Sequence, residues 1–106
     1  TSYNELTTLT ANGTFTVPLG MSIESIIYEN TTANAVTGGV KIGTTNGGIE
    51  VVVAQAIGAN GVGQISDANI LLKFFSSTAQ QILYIQAVTA WNSASVKFYI
   101  KLKPLI

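Results

Sequence analysis

The chain of 106 residues contains no histidine, no cysteine and no arginine. Without histidine, a serine or threonine nucleophile has no imidazole base within one subunit. Without histidine and cysteine, the usual zinc sites cannot be assembled. The same lack of cysteine removes disulfides and thiol chemistry. Five lysines with no arginine make no basic patch, so binding of nucleic acid through phosphate neutralisation is not expected. No apolar run approaches the roughly 20 residues that span a bilayer as a helix, so no membrane contact is expected. The opening residues TSYNELTTLT carry no basic residue and do not read as a secretory leader.

Charge is the other scarcity. Charged residues make up 9 % of the chain, against roughly 25 % in an average soluble domain. Hydrophobic content is ordinary at 47 %, so Thr, Ser, Asn, Gln and Gly have taken the place of the charges. Formal net charge is zero, and a small domain with few charges and no net charge tends to associate. The length suits one domain with a single core. The organisation read from it is one β-sandwich domain over 1–106, with 1–12 as an N-terminal arm.

What is present is period two. Phe15 and Val17 share a face before Pro18-Leu19-Gly20 breaks the run. IESIIYEN, from Ile23 to Asn30, is β-rich, and NTTANAVTGG after it reads as a polar connection. Val40-Lys41-Ile42 reads as a short strand with Lys41 outward. Thr44 to Gly48 is a turn, because Asn46-Gly47 supplies the positive φ that tight hairpins need. Ile49 to Ile57 reads as the returning strand, and Gly58 to Gly63 as a second turn. Leu83, Ile85 and Ala87 alternate against Tyr84 and Gln86. In the last run Val96, Phe98, Ile100 and Leu102 face one way and Lys97, Tyr99, Lys101 and Lys103 the other, until Pro104 ends it. These patterns predict an all-β fold: an antiparallel β-sandwich, jelly-roll-like, of seven or eight short strands with at most one short helix. The expected core is Phe15, Val17, Leu83, Ile85, Val96, Phe98, Ile100 and Leu102. Ile70 to Phe75 reads equally as a strand or as a short helix capped by Ser66 or Asp67.

Candidate chemistry is sparse. The glycines of VTGGVKIGTTNGG do not match G-x-x-x-x-G-K-[ST] or G-x-G-x-x-G, and no helical pattern follows them, so they read as turn glycines. The carboxylates are Glu5, Glu24, Glu29, Glu50 and Asp67. Strict alternation puts Glu24 and Glu29 on opposite faces of their strand, which does not make a glycosidase pair. Asp67 and Asn69 offer too few oxygens for calcium. No catalytic, cofactor-binding or metal site is expected, and no enzyme. Trp91 in AVTAWNSASV is the one candidate for glycan contact by stacking, although a plug for one end of the sandwich or for a subunit seam is the commoner use of such a Trp. The sequons Asn12-Gly13-Thr14 and Asn30-Thr31-Thr32 arise readily by chance in so Asn/Thr-rich a chain.

Taken together, GTFTVPLG, NTTANAVTGGVKIGTT and AVTAWNSASV resemble segments of small tailed-phage and prophage proteins. These are the β-sandwich domains of virion surfaces, of head-fibre, tail-fibre-tip or capsid-decoration type, and the resemblance runs from Gly13 to Leu102. It implies a structural role on the virion, with assembly in the host cytoplasm and an extracellular existence as part of the particle. It further implies other virion proteins as partners, self-assembly often as trimers, and in some members attachment to a bacterial surface glycan. The alternative from another class is a secreted carbohydrate-binding module.

Apolar runs add an expectation of their own. Val51-Val52-Val53 and Ile70-Leu71-Leu72 put apolar groups on both faces of a strand, with Phe74 and Phe75 close behind and Ile26 beside Ile27 posing the same problem. An outer sheet normally leaves one face to water. A homo-oligomer, trimer before dimer, with Val51, Val52, Val53, Ile70, Leu71, Leu72, Phe74 and Phe75 at its contacts, is therefore expected.

Overall fold

A computed structural model describes residues 3–105, with side chains from residue 7 onward. Eight strands follow one another: β1 (Tyr3–Leu9), β2 (Gly13–Val17), β3 (Met21–Asn30), β4 (Val36–Gly43), β5 (Val52–Ile57), β6 (Val62–Gln64), β7 (Gln81–Ala87) and β8 (Val96–Pro104). They form two four-stranded sheets, β1-β8-β3-β6 and β2-β7-β4-β5. Every pairing is antiparallel. β1 lies beside β8, β2 beside β7, β3 beside β6 and β4 beside β5, the order left when a long antiparallel ribbon folds over on itself. β3–β8 and β4–β7 contacts then complete the two sheets. This is the jelly-roll arrangement of a β-sandwich.

β1 is an integral edge strand rather than an arm. It runs alongside β8 from Tyr3↔Leu102 to Leu9↔Val96 without a slip in register. β8 has β3 on one side only, and β1 satisfies the backbone groups along its other side.

Alternation builds the core. Val96, Phe98, Ile100 and Leu102 of β8 face Phe15 and Val17 of β2, Leu83 and Ile85 of β7, and Val40 and Ile42 of β4 across the sandwich, and all are buried. The eight core residues expected from period two are all in this cluster. Ile23 and Ile26 from β3 join it, three residues apart instead of two or four. The register of β3 against β8 shifts between Ile23 and Ser25, a β-bulge with Glu24 as the extra residue. That bulge overturns the expectation for the two glutamates. Glu24 pairs with Lys101 on the outer face, and Glu29 stands opposite Lys97 on the same face.

Asn30, at the end of β3, is 2 % exposed and fully bonded. Its Nδ2 donates to the carbonyls of Asn34 (2.7 Å) and Gly58 (3.1 Å), and its Oδ1 accepts from Thr32 N–H (3.0 Å) and Thr32 Oγ1 (2.8 Å). One side chain thus ties the β3–β4 connection to the turn after β5, at a point where an unpaired amide would be costly.

The segment 65–76 is neither the expected strand nor the expected helix. A single 3₁₀ turn covers Asp67–Asn69, Ser66 makes no side-chain cap, and Ile70 is already extended. Beyond it the chain wraps the open side of the sandwich. Ile65 N–H donates to Ile26 O, Leu71 N–H to Val51 O, Ile23 N–H to Lys73 O and Gly20 N–H to Ser76 O. Residues 73–76 thereby line the half of β3 that the three-residue β6 does not reach. Ile65 and Ile70 are buried beneath this wrap and seal the edge between the two sheets.

β4 begins at Val36, so Thr37, Gly38 and Gly39 lie inside a strand and not in the connection before it. Gly38 and Gly39 both have left-handed φ (79° and 82°), and the register of β4 against β5 slips between Val36 and Val40. A Cβ on Gly39 would sit well inside contact distance of the Gln55 carbonyl. Gly39→Ala is therefore expected to destabilise by about 2–4 kcal/mol, the left-handed penalty plus overpacking against backbone. Gly47 has the same kind of φ (83°) with nothing near a would-be Cβ. Gly47→Ala should then cost only the conformational part, about 1–2 kcal/mol. Urea titration of the two variants side by side tests the difference, and equal costs would refute the close approach at Gly39.

Candidate functional site

Among the described residues, three places gather polar side chains that could carry chemistry. The first is the end of the sandwich where the β1–β2 turn meets the β7–β8 connection. Trp91 Nε1–H donates to Asn12 Oδ1 (2.7 Å), and the same oxygen accepts Ala87 N–H (3.1 Å). The Trp91 ring is half-buried against the core cluster. The turn that presents it, Trp91 to Ala94, has Asn92 and Ser93 both at positive φ (55° and 63°) and closes with Ala94 N–H to Trp91 O. The indole N–H is thus bonded within the protomer and the ring packs in part against the core.

The second is the β4–β5 loop, residues 44–50, which folds back over the outer face of its own sheet. It rests directly on Gly43, where any Cβ would collide with the Gly48 backbone. Gln86, pointing outward from β7, holds it from below. Gly47 N–H donates to Gln86 Oε1 (2.7 Å), and Gln86 Nε2 donates to Asn46 Oδ1 (2.6 Å). From the far side, the Glu50 carboxylate accepts Thr44 N–H (2.9 Å) and lies 3.4 Å from Thr45 Oγ1. Its own backbone N–H and then that of Thr44 hold the Glu50 carboxyl below the usual carboxylate range. Both carboxylate oxygens thus face the loop that they help to shape.

The third is the outer face of the β1-β8-β3-β6 sheet, where Glu24 pairs with Lys101 (3.6 Å) and Tyr99 Oη–H reaches Glu29 (3.5 Å). These are surface pairs of small energetic worth. Glu24 and Glu29 share a face, but with Glu24 in the bulge the four ladder steps from Ser25 to Glu29, at about 3.3 Å each, still separate them by roughly 13 Å along the strand. A glycosidase pair needs at most about 9.5 Å. Asp67 is paired with Lys73 (3.3 Å). The side chain of Glu5 lies outside the described residues. Among the described residues, no three of His, Cys, Asp and Glu gather as metal ligands would.

The expected contact residues divide by burial. Val51, Val52 and Ile70 are in the protomer's own core and face no partner. Val52 is the inward residue of β5 opposite Ile42, while Val51 precedes the strand where the chain enters from the loop, so the two successive valines both turn inward. Val53, Leu71 and Leu72 stay exposed, and Phe74 and Phe75 are half-buried. Ile26 is buried and Ile27 exposed in the same way. Sequence reasoning did not find Asn12, Gln86 or Asn30, the three amides that pin these loops. Asn12 and Gln86 act on segments far away in the chain, as Asn30 does through Gly58, and no local pattern marks such a partner. No family model matches the chain, and neither a curated protein nor a solved structure does.

Proposed function

We propose that this protein is a non-enzymatic structural protein of a bacteriophage virion, an oligomeric jelly roll on the particle surface. Head fibre, capsid decoration and tail-fibre tip are the roles in view. The observation that carries the reading is the outside of the sandwich. Val53 (51 % exposed), Leu71 (59 %), Leu72 (40 %), Ile27 (40 %) and Val62 (69 %) project from a domain with five positive and five negative side chains in all. Scattered apolar side chains are normal on a monomer, and it is their number beside so little charge that favours burial between copies. Closed symmetry buries such a surface without leaving sticky edges. The jelly roll recurs in viral capsid domains, an analogy of fold that is compatible with this use. The resemblance in the turn segments points the same way. Other virion proteins are the partners proposed, with a bacterial surface glycan as the ligand where the domain ends a fibre.

The test is the mass of the purified protein in solution. A trimer, or failing that a dimer, is expected by light scattering at micromolar concentration, and a monomer would sink the reading. Val53→Asp with Leu71→Asp, both at exposed positions, should lower that mass while the circular dichroism of the protomer is kept. Val52→Asp should behave differently: with Val52 in the core, it is expected to unfold the protomer, because a carboxylate there has no partner.

A further inference from the structure

Three Asn-Gly pairs occur in the chain: Asn12-Gly13, Asn46-Gly47 and Asn60-Gly61. An Asn followed by Gly is the pair in which the backbone most easily reaches the side-chain amide, since Gly carries no Cβ to obstruct it. The following nitrogen, losing its proton, attacks Cγ. A C–N bond forms, the Cγ–Nδ2 bond breaks, and ammonia leaves with the proton. Water then opens the five-membered imide at either carbonyl, giving aspartate or isoaspartate. The net change is gain of water and loss of ammonia, and no oxidant or cofactor is needed.

The three pairs are held in different ways. At Asn12 the side-chain oxygen accepts two hydrogen bonds, from Ala87 N–H and Trp91 Nε1–H, and Gly13 is already in β2 opposite Ile85. At Asn60 the backbone sits at φ 52°, with Asn60 N–H bonded to Thr32 O and Gly61 N–H to Gly58 O. Asn46-Gly47 lies at the exposed tip of the β4–β5 loop, with open space around Gly47. There both reacting groups are held by one side chain. The nucleophile's N–H donates to Gln86 Oε1 and the electrophile's oxygen accepts from Gln86 Nε2, at 2.7 and 2.6 Å.

We infer that Asn46-Gly47 is a latent succinimide-forming modification site, kept unreacted by the two-point hold of Gln86. The amide oxygen of Gln86 occupies the Gly47 proton but is too weak a base to remove it, so the proton is screened from hydroxide. The amide nitrogen fixes the Asn46 side chain and keeps Cγ from rotating over the Gly47 nitrogen. Reaction at this position would place isoaspartate, with its extra backbone methylene, in the turn that closes through Gly48 N–H to Thr45 O (2.9 Å). The loop would then lose its seat on Gly43. This inference stands on the loop alone and does not depend on the proposed assembly.

The experiment incubates the native protein in mildly alkaline buffer and follows the one-dalton mass gain, peptide by peptide. Asn12 and Asn60 serve as internal references. In the unmodified protein Asn46 should react no faster than Asn60. In Gln86→Ala the ratio of Asn46 to Asn60 reaction should rise at least about fivefold, the scale set by the loss of two ordinary hydrogen bonds. A general loosening of the fold would raise all three sites together and leave the ratio unchanged. An unchanged ratio overturns the inference, and a lowered one would mean that Gln86 assists the reaction. Gln86→Glu keeps an acceptor for Gly47 N–H but loses the donor to Asn46. Because a carboxylate is also a stronger base toward that proton, its Asn46 rate should exceed the parent's. A rate at or below the parent's would refute the hold on Asn46.

Discussion

Replacing Phe98 with Ala is expected to destabilise the protein by about 3–5 kcal/mol, the range for truncating a buried phenylalanine. Phe98 is fully buried in the middle of β8, itself an inner strand of its sheet, between Thr7 of β1 and Tyr28 of β3 in register. Inner strands hydrogen-bonded on both sides have little freedom to move inward and fill the cavity. The cost should therefore fall in the upper part of that range. Against a total stability of about 5–15 kcal/mol for a domain, such a loss lowers the urea midpoint visibly or leaves the chain unfolded at room temperature. Lys103→Ala, at an exposed position of the same strand, is the control and should stay within about 0.5 kcal/mol. A cost under about 1 kcal/mol for Phe98→Ala would contradict the burial described, since that scale belongs to surface positions.

Asn30→Asp is expected to have an effect of similar size from a change of one atom. The substitution turns the group that donates to the Asn34 and Gly58 carbonyls into a third acceptor facing them. At 2 % exposure the carboxylate gains almost no compensating water. Leaving a buried charge unpaired costs about 3–5 kcal/mol. Asn30→Ala removes the same bonds without burying a charge and should cost less, about 1–3 kcal/mol from the unsatisfied partners. A pH titration of urea stability separates the two. Burial and the facing carbonyls raise the folded-state pKa of the introduced carboxyl above its unfolded value. The folded state then binds the proton more tightly, so the Asp variant should recover stability as pH falls through that raised value, relative to the parent. The Ala variant should show no such recovery. Asp and Ala variants that lose stability equally at all pH values would mean that the amide donors at Asn30 are not engaged.

Phe98 and Asn30 also show what is legible in a sequence such as this one. Phe98 belongs to Val96-Leu102, where two-residue alternation with lysines opposite makes both the strand and its inward face evident. The same holds for Phe15, Val17, Leu83 and Ile85, because side-chain direction in a regular strand is a local property of the backbone. Asn30 bonds locally to Thr32 and Asn34, but nothing near it in the chain marks its bond to Gly58, 28 residues away. Local alternation also fails wherever a neighbouring strand alters the count. The bulge at Glu24 moves that side chain to the face of Glu29. The slip at Gly38 and Gly39 puts into β4 two residues that compose like a turn. Val51 and Val52 look like a two-faced strand, yet they turn inward together because one precedes the strand that the other begins. Ile70 to Phe75 is equally apt for helix or strand by composition, and its course is decided by the open edge it has to close.

By itself, then, the sequence determined the all-β class, the inward residues of the regular strands, and the absence of the side chains that most catalytic and metal sites require. Those follow from residue type and local periodicity, which act through the few atoms nearest in the chain. The tertiary structure alone decided which strand lies beside which, how the register slips, and which of the apolar runs is core and which is surface. It also decided that Asn12, Gln86 and Asn30 would pin loops distant in sequence. Backbone hydrogen bonds between strands are made by groups common to every residue, and so they carry no mark of their partner. Only the closing of both sheets over one core selects among the pairings that local pattern allows.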